Sequence, residues 1–165
     1  MVSADRHCPR PDHTLPVHSP GISLRPLDSV HLDTVKQYWP YAASAADADV
    51  IIGDGLLAGL SIGAFIDGDA STPTPDGLVS WCVLDHNGSL AFMHTLESHR
   101  RRGLSRLVLT ALTRLCQRRG YPCSASTVLG PDYGTRALQQ LGYSLVGDVL
   151  VGGSAPVASS QIQSS

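Results

Sequence analysis

The stretch His94-Thr95-Leu96-Glu97-Ser98-His99-Arg100-Arg101-Arg102-Gly103-Leu104-Ser105 concentrates the residues of this chain whose types and spacing could do chemistry. Three consecutive arginines and a glycine stand directly ahead of a strongly amphipathic run. A helix start already carries unpaired backbone N–H groups and a partial positive charge. Adding cations there is locally unfavourable unless an anion binds, and a phosphate group is the natural occupant. The pattern therefore reads as strand, phosphate-gripping loop and helix. A small residue at position 105 suits close approach of the backbone to a phosphate.

The totals narrow what this anion is. At 165 residues the chain has room for one domain with a real core. Its net charge of -2 excludes a general nucleic-acid binder, because there is no basic surplus to neutralise many phosphates. The arginines are nonetheless gathered: Arg100, Arg101, Arg102, Arg106, Arg114, Arg118 and Arg119 fall in one loop and its helix. A locally basic site on a nearly neutral protein fits a small anionic ligand. The four cysteines (Cys8, Cys82, Cys116, Cys123) form no CxxC pair and no zinc spacing, so no metal site is expected. Cys82 and Cys116 sit among apolar residues and read as reduced core residues. The longest apolar stretch, Val50 to Ile66, contains Asp54 and four glycines and is short for a bilayer span, so no membrane partner is expected. No secretory signal is evident in the first residues. An intracellular, cytoplasmic location is the default expectation, with the mitochondrion as the alternative.

The elements that must position the loop follow from periodicity. Residues 1–20 hold Pro9, Pro11, Pro16 and Pro20 and read as a disordered leader. Ile22 to Arg25 reads as a first strand ending at Pro26. Asp28 is a plausible N-cap for a helix whose face carries Leu32, Val35 and Trp39, stopped by Pro40. Ala42 to Leu57 is weakly helical. Strands are expected over Leu60–Asp67 and Leu78–Leu84. Asp85-His86-Asn87-Gly88 is a hairpin signal leading into a strand over Ser89–Leu96. Leu104, Leu107, Val108, Ala111, Leu112 and Leu115 then mark the clearest helix. Arg106, Thr110, Thr113, Arg114 and Gln117 face away from it, and Gly120 closes it. Cys123–Leu129 (strand), Asp132–Leu141 (helix) and Tyr143–Val151 (strand) complete the order. The hairpin followed by β-α-β predicts an α/β fold, a mixed sheet with helices on both faces. The single domain spans 21–152, with a flexible tail over 153–165.

This order, with Arg100-x-x-Gly103-x-Ser105 between a strand and a helix, resembles the GNAT superfamily of acyl-CoA-dependent N-acyltransferases. The family's loop ends in Gly or Ala where this chain has Ser105. A narrower likeness is carried by Ser80-Trp81, Asp85, Gly88 and Thr95-Leu96-Glu97-Ser98-His99-Arg100, which resemble the acyltransferase domain of the glycine N-acyltransferase family. The likeness spans about residues 22 to 151 and is densest from 78 to 143. It implies acyl-CoA or acetyl-CoA as co-substrate, lying between two splayed parallel strands. Backbone groups of Thr95, Leu96 and Glu97 would pair with the pantetheine arm. The N–H groups from Arg101 through Arg102, Gly103 and Leu104 to Ser105 would hold the pyrophosphate, with arginine side chains on the remaining phosphates.

Acyl transfer to nitrogen needs a neutral amine, a stabilised oxyanion and a proton for the leaving thiolate. The glycine N-acyltransferase family is thought to use a glutamate just after the turn; the matching residue here is Ser89, which cannot act as a base. His94 is the nearest ionisable substitute, as catalytic base or as a residue lining the substrate. On a regular strand residues 89 and 94 face opposite sides, unless a bulge intervenes. The tyrosine that many GNAT enzymes place on the last helix corresponds to Leu138. Three functions remain open: transfer of an acyl group to the amine of a small molecule such as glycine or another amino acid, a non-catalytic module that binds acyl-CoA, or acetylation of a protein or peptide amine within the same fold.

Overall fold

The computed structural model describes residues 2–3, 21–67, 72–125, 133–140 and 143–145. In chain order the elements are β1 (Val2–Ser3), β2 (Ile22–Arg25), α1 (Leu32–Gln37), α2 (Ala48–Leu57), β3 (Ser61–Ile66), β4 (Leu78–Leu84), β5 (Ser89–Thr95), α3 (Leu104–Arg118), β6 (Ser124–Ala125), α4 (Tyr133–Gln140) and β7 (Ser144–Leu145). One sheet runs in the order β2-β3-β4-β5-β6-β1-β7. β2 to β5 are antiparallel neighbours, and β5 pairs parallel with β6. The mixed sheet expected from the sequence is present, and its two faces carry different helices.

Strand alternation assigns those faces. Trp81 and Val83 on β4 point toward α1 and α2: Tyr38, just past α1, meets the Trp81 ring edge-on at 5.4 Å, and Gly55 of α2 abuts Val83. Leu84, Cys82 and Ser80 take the opposite face, under α3. All of β4 is buried, as is the inner face of α3 (Leu104, Val108, Leu109, Ala111, Leu112, Cys116). A strand buried on both faces reads as a continuous apolar run, which Leu78–Leu84 does. Burial of a large side chain contributes about 1.5–3 kcal/mol, so Trp81, Leu78 and Val83 of β4, with Leu112 and Val108 of α3, are main stabilising contacts in the core around β4.

Several boundaries differ from the sequence expectation. α1 ends at Gln37, so Trp39 lies beyond the helix and not on its face. Asp28 does cap, accepting from the Val30 N–H at 3.2 Å, but it caps a single 3-10 turn (Ser29–His31) ahead of α1. The weakly helical segment divides into a 3-10 turn at Ala42–Ser44 and α2 proper. Thr113 does not face away. It is buried, with its hydroxyl 2.6 Å from that of Tyr143, a partner 30 residues on. From the leader, Val2–Ser3 is a strand between β6 and β7, supplying backbone partners to both. The outer parts of the two last expected strands, 126–129 and 146–151, and the tail over 153–165 lie outside the described residues.

Candidate acyl-transfer site

The hairpin that carries β5 is built by its turn. Asp85 Oδ1 accepts from the N–H groups of Asn87 and Ser89 at 2.8 and 2.9 Å, and Gly88 takes φ +74°. β5 then pairs with β4 through Leu84↔Leu90 and Val83↔Ala91, but next through Trp81↔His94. Two residues of β4 thus oppose three of β5. The extra residue is a bulge centred on Phe92, whose φ of +49° is rare for an aromatic side chain. Its consequence is parity. Ser89, Ala91 and His94 now share the face toward α1 and α2, although 89 and 94 differ by an odd number.

His94 lies half-buried in that face, 4.6 Å from the Tyr38 ring and 5.2 Å from Trp81, centroid to centroid. Burial, and secondarily the Arg100 cation, lower its pKa from the ordinary 6.5. The imidazole is therefore neutral at neutral pH, which a proton acceptor needs. Thr95, the next residue, turns to the other face, where its hydroxyl lies 2.8 Å from that of Ser80. The Ser80 hydroxyl also donates to the His94 carbonyl at 3.2 Å. Ser80, Trp81 and Asp85, the residues that carried the narrower likeness, therefore hold the strand and its turn in place.

Beyond Thr95 the chain makes a 3-10 turn (Glu97–His99) and reaches α3 through Arg100-Arg101-Arg102-Gly103. Arg101 and Gly103 both adopt left-handed backbone, φ +62° and +74°. Left-handed residues alternating with ordinary ones turn successive N–H groups inward, the geometry of an anion nest. No side chain caps α3, and its first turn holds no acidic residue. Arg101, Arg102 and Gly103 are exposed, and a Cβ built on Gly103 meets nothing within 4 Å. Leu104 is buried and anchors the loop to the core, while Ser105 is half-buried in the first turn. The Arg100 guanidinium donates through Nε to the Thr95 carbonyl at 3.4 Å and lies 3.9 Å from the exposed Glu97 carboxylate. An exposed pair at that spacing contributes little, which leaves Arg100 available to an anion.

One expected contact is corrected. The Leu96 N–H is taken by the Val79 carbonyl at 2.9 Å, and the Leu96 carbonyl accepts from the His99 N–H at 2.8 Å. β4 thus claims the amide that was expected to bind pantetheine. On the β6 side of β5 the described pairing is limited to Ser89↔Ser124 and Leu90↔Ala125, so from Ala91 to Thr95 that edge has no ladder partner among the described residues. The position expected for a catalytic tyrosine, Leu138, is a core residue. Tyr143, the buried tyrosine nearby, is held protonated by burial and bonded to Thr113. Among the described residues no group of histidines, cysteines and acids could hold a metal ion.

Residues 70–150 match the model of the FR47-like protein family. Among solved structures, a Drosophila protein is similar with a TM-score of 0.62 and 20% identity, covering 79% of this chain. This chain spans only 42% of that protein's length. The aminoglycoside N-acetyltransferase AAC(6')-Iy, solved with a bisubstrate analogue of CoA, is similar with a TM-score of 0.56 and 18% identity over 82% of this chain and 99% of its own. A GCN5-related N-acetyltransferase from Ralstonia eutropha gives 0.57 and 15% over 82% and 100%. The fold is that of the GCN5-related N-acetyltransferases. What the sequence missed was the ring cluster around His94. Tyr38 and Trp39, two aromatics directly before Pro40, carry that signal, but helical spacing places Trp39 on a face with Leu32 and Val35.

Proposed function

We propose that this chain is an acyl-CoA-dependent N-acyltransferase that moves an acetyl or larger acyl group to the amine of a small molecule. The observation that carries this reading is the paired left-handed Arg101 and Gly103 at an uncapped helix start ringed by arginines. The pyrophosphate of the CoA thioester would bind the N–H groups of Arg101 to Ser105, with Arg100 and Arg102 on its outer oxygens. The N–H groups of Thr95 and Glu97 remain as backbone partners for the pantetheine arm, since both carbonyls accept from Arg100. The amine attacks the thioester carbonyl: a C–N bond forms and the C–S bond breaks. The amine proton passes to the neutral imidazole of His94, and the departing thiolate takes up a proton. Holding the two substrates together supplies much of the rate. Glycine or another amino acid is the acceptor class that the narrower likeness over residues 78 to 143 implies. Dependence on acyl-CoA supports a location inside the cell, in the cytoplasm or the mitochondrion.

Two substitutions favour a second reading, a GNAT module that binds acyl-CoA without turnover: Ser89 where the glycine N-acyltransferases have a glutamate, and Leu138 where many GNAT enzymes have a tyrosine. Calorimetric titration with CoA tests the shared part. Arg100→Ala combined with Gly103→Asp should weaken binding by roughly a hundredfold or more, since charged hydrogen bonds contribute about 1.5–3 kcal/mol each. Unchanged affinity removes the coenzyme assignment. Thiol release from acetyl-CoA or benzoyl-CoA with a panel of amines then decides between the readings. Binding with no release across the panel establishes the second.

A further inference from the structure

Six rings gather on the face of β5 that carries His94. Tyr38 and Trp81 flank the imidazole, and Tyr38 meets Trp81 edge-on. Trp39 packs edge-to-face on Phe92 at 4.9 Å and lies 6.4 Å from Tyr41. Two features put them there: the chain leaves α1 early, at Gln37, and the bulge turns Phe92 to this side. Only Trp81 is fully buried. Tyr38, Trp39 and Phe92 are half-buried, and Tyr41 is 66% exposed. The indole Nε1 of Trp81 is buried with no hydrogen-bond partner, a donor left for a ligand or water to meet.

The ring spacings discriminate between ligands. A cage for a cationic head holds the ammonium over ring faces. Here the rings fill one another's gaps at contact distance, and the charge that bears on His94 is the positive Arg100. A second ammonium on the acceptor would meet that charge. A flat apolar body would instead extend an edge-to-face cluster that already exists. Glycine would leave the partly exposed wall of Trp39, Tyr41 and Phe92 uncovered. We infer that the acceptor is a primary amine on a flat aromatic body, lodged against Trp39, Tyr41 and Phe92 with its nitrogen turned toward His94. This rests on the acyl-transfer reading above for the reaction, and on the rings alone for the ligand.

The test uses the full chain with two independent readouts. 2-Phenylethylamine, glycine and spermidine are titrated calorimetrically, with and without CoA, and the same three amines are assayed for thiol release from acetyl-CoA. Phenylethylamine should bind at least about tenfold tighter than either competitor and show a kcat/KM about tenfold higher, the scale of one aromatic pair. Tyr41→Ala, at an exposed position that folding tolerates, and Trp39→Ala should each erase most of that preference by raising KM more than they lower kcat. Equal or tighter binding of glycine or spermidine overturns the inference, as does a preference that survives both substitutions. Phenylethylamine binding with no thiol release from any amine sinks the transferase reading and leaves the aromatic site standing. Turnover of glycine with no binding of phenylethylamine does the reverse.

Discussion

Gly55 on α2 and Gly103 at the head of α3 meet opposite surroundings. A Cβ on Gly55 would lie 2.5 Å from the Leu84 carbonyl oxygen and 2.5 Å from Val83 Cγ1, so the helix rests directly on β4. A Cβ on Gly103 would touch nothing within 4 Å, yet its backbone is left-handed. One position is kept small by crowding, the other by a torsion angle that leaves an open, charged hollow. The contrast separates what holds the sheet together from the loop that we propose receives the coenzyme. It also shows that glycine in sequence does not say which of the two it serves.

The widest gap between the two sites should come from Gly55→Val. The obstacle is a backbone carbonyl of a buried strand, which cannot swing aside, and overpacking should cost about 3 kcal/mol in denaturant unfolding. CoA affinity of the folded fraction should be unchanged; an unaltered unfolding midpoint would break the comparison. Gly103→Ala should lose only about 1–2 kcal/mol of stability from the left-handed torsion but weaken CoA binding measurably by calorimetry. A substitution that instead left CoA affinity intact would show the hollow to be empty space.

His94 sharpens the comparison through pH. Its folded pKa lies below the ordinary 6.5, so unfolding takes up a proton between the two values. Stability held by neutral His94 is present above pH 6.5 and falls away as pH drops toward the lower folded value. The acidic limb of kcat/KM should likewise lie below 6.5, and His94→Gln should remove both that limb and this part of the acid sensitivity, read by thermal melts from pH 5 to 8. The smallest effect belongs to Arg119, whose Nη1 donates to the Ala58 and Gly59 carbonyls at 3.0 and 3.2 Å from an exposed position. Arg119→Ala should cost about 0.5–1.5 kcal/mol and leave CoA binding untouched, because this arginine serves the joint between α2 and α3.

Much of the frame is legible in the residues. The i, i+3, i+4 run of α3, the unbroken apolar β4 and the turn at Asp85 to Gly88 each carry a local physical signal, and each is found where expected. The place of the arginine loop, between β5 and the start of α3, is legible for the same reason. What escaped are features decided by distant partners. Thr113 reads as solvent-facing until Tyr143 arrives to meet its hydroxyl. Leu96 reads as an available amide until β4 claims it. The bulge at Phe92 has no glycine or proline to announce it, so the alternation rule assigns His94 to the wrong side relative to Ser89. Val2–Ser3, two residues among prolines, have no periodicity to read and are strand only because β6 and β7 lie on either side.

The kink at Phe92 has a consequence for how this scaffold tolerates change. Because one surplus residue interrupts the ladder, the two halves of β5 are geared separately. Deleting a single position between Ala91 and His94 would restore plain alternation with the imidazole still opposite Trp81, because residues two apart on a regular strand share a side, and the arginine loop, anchored further along by Leu96 and Leu104, would keep its place. The surplus residue, and with it the aromatic ring at position 92, can therefore change by single-codon steps while the imidazole and the arginine loop keep their places.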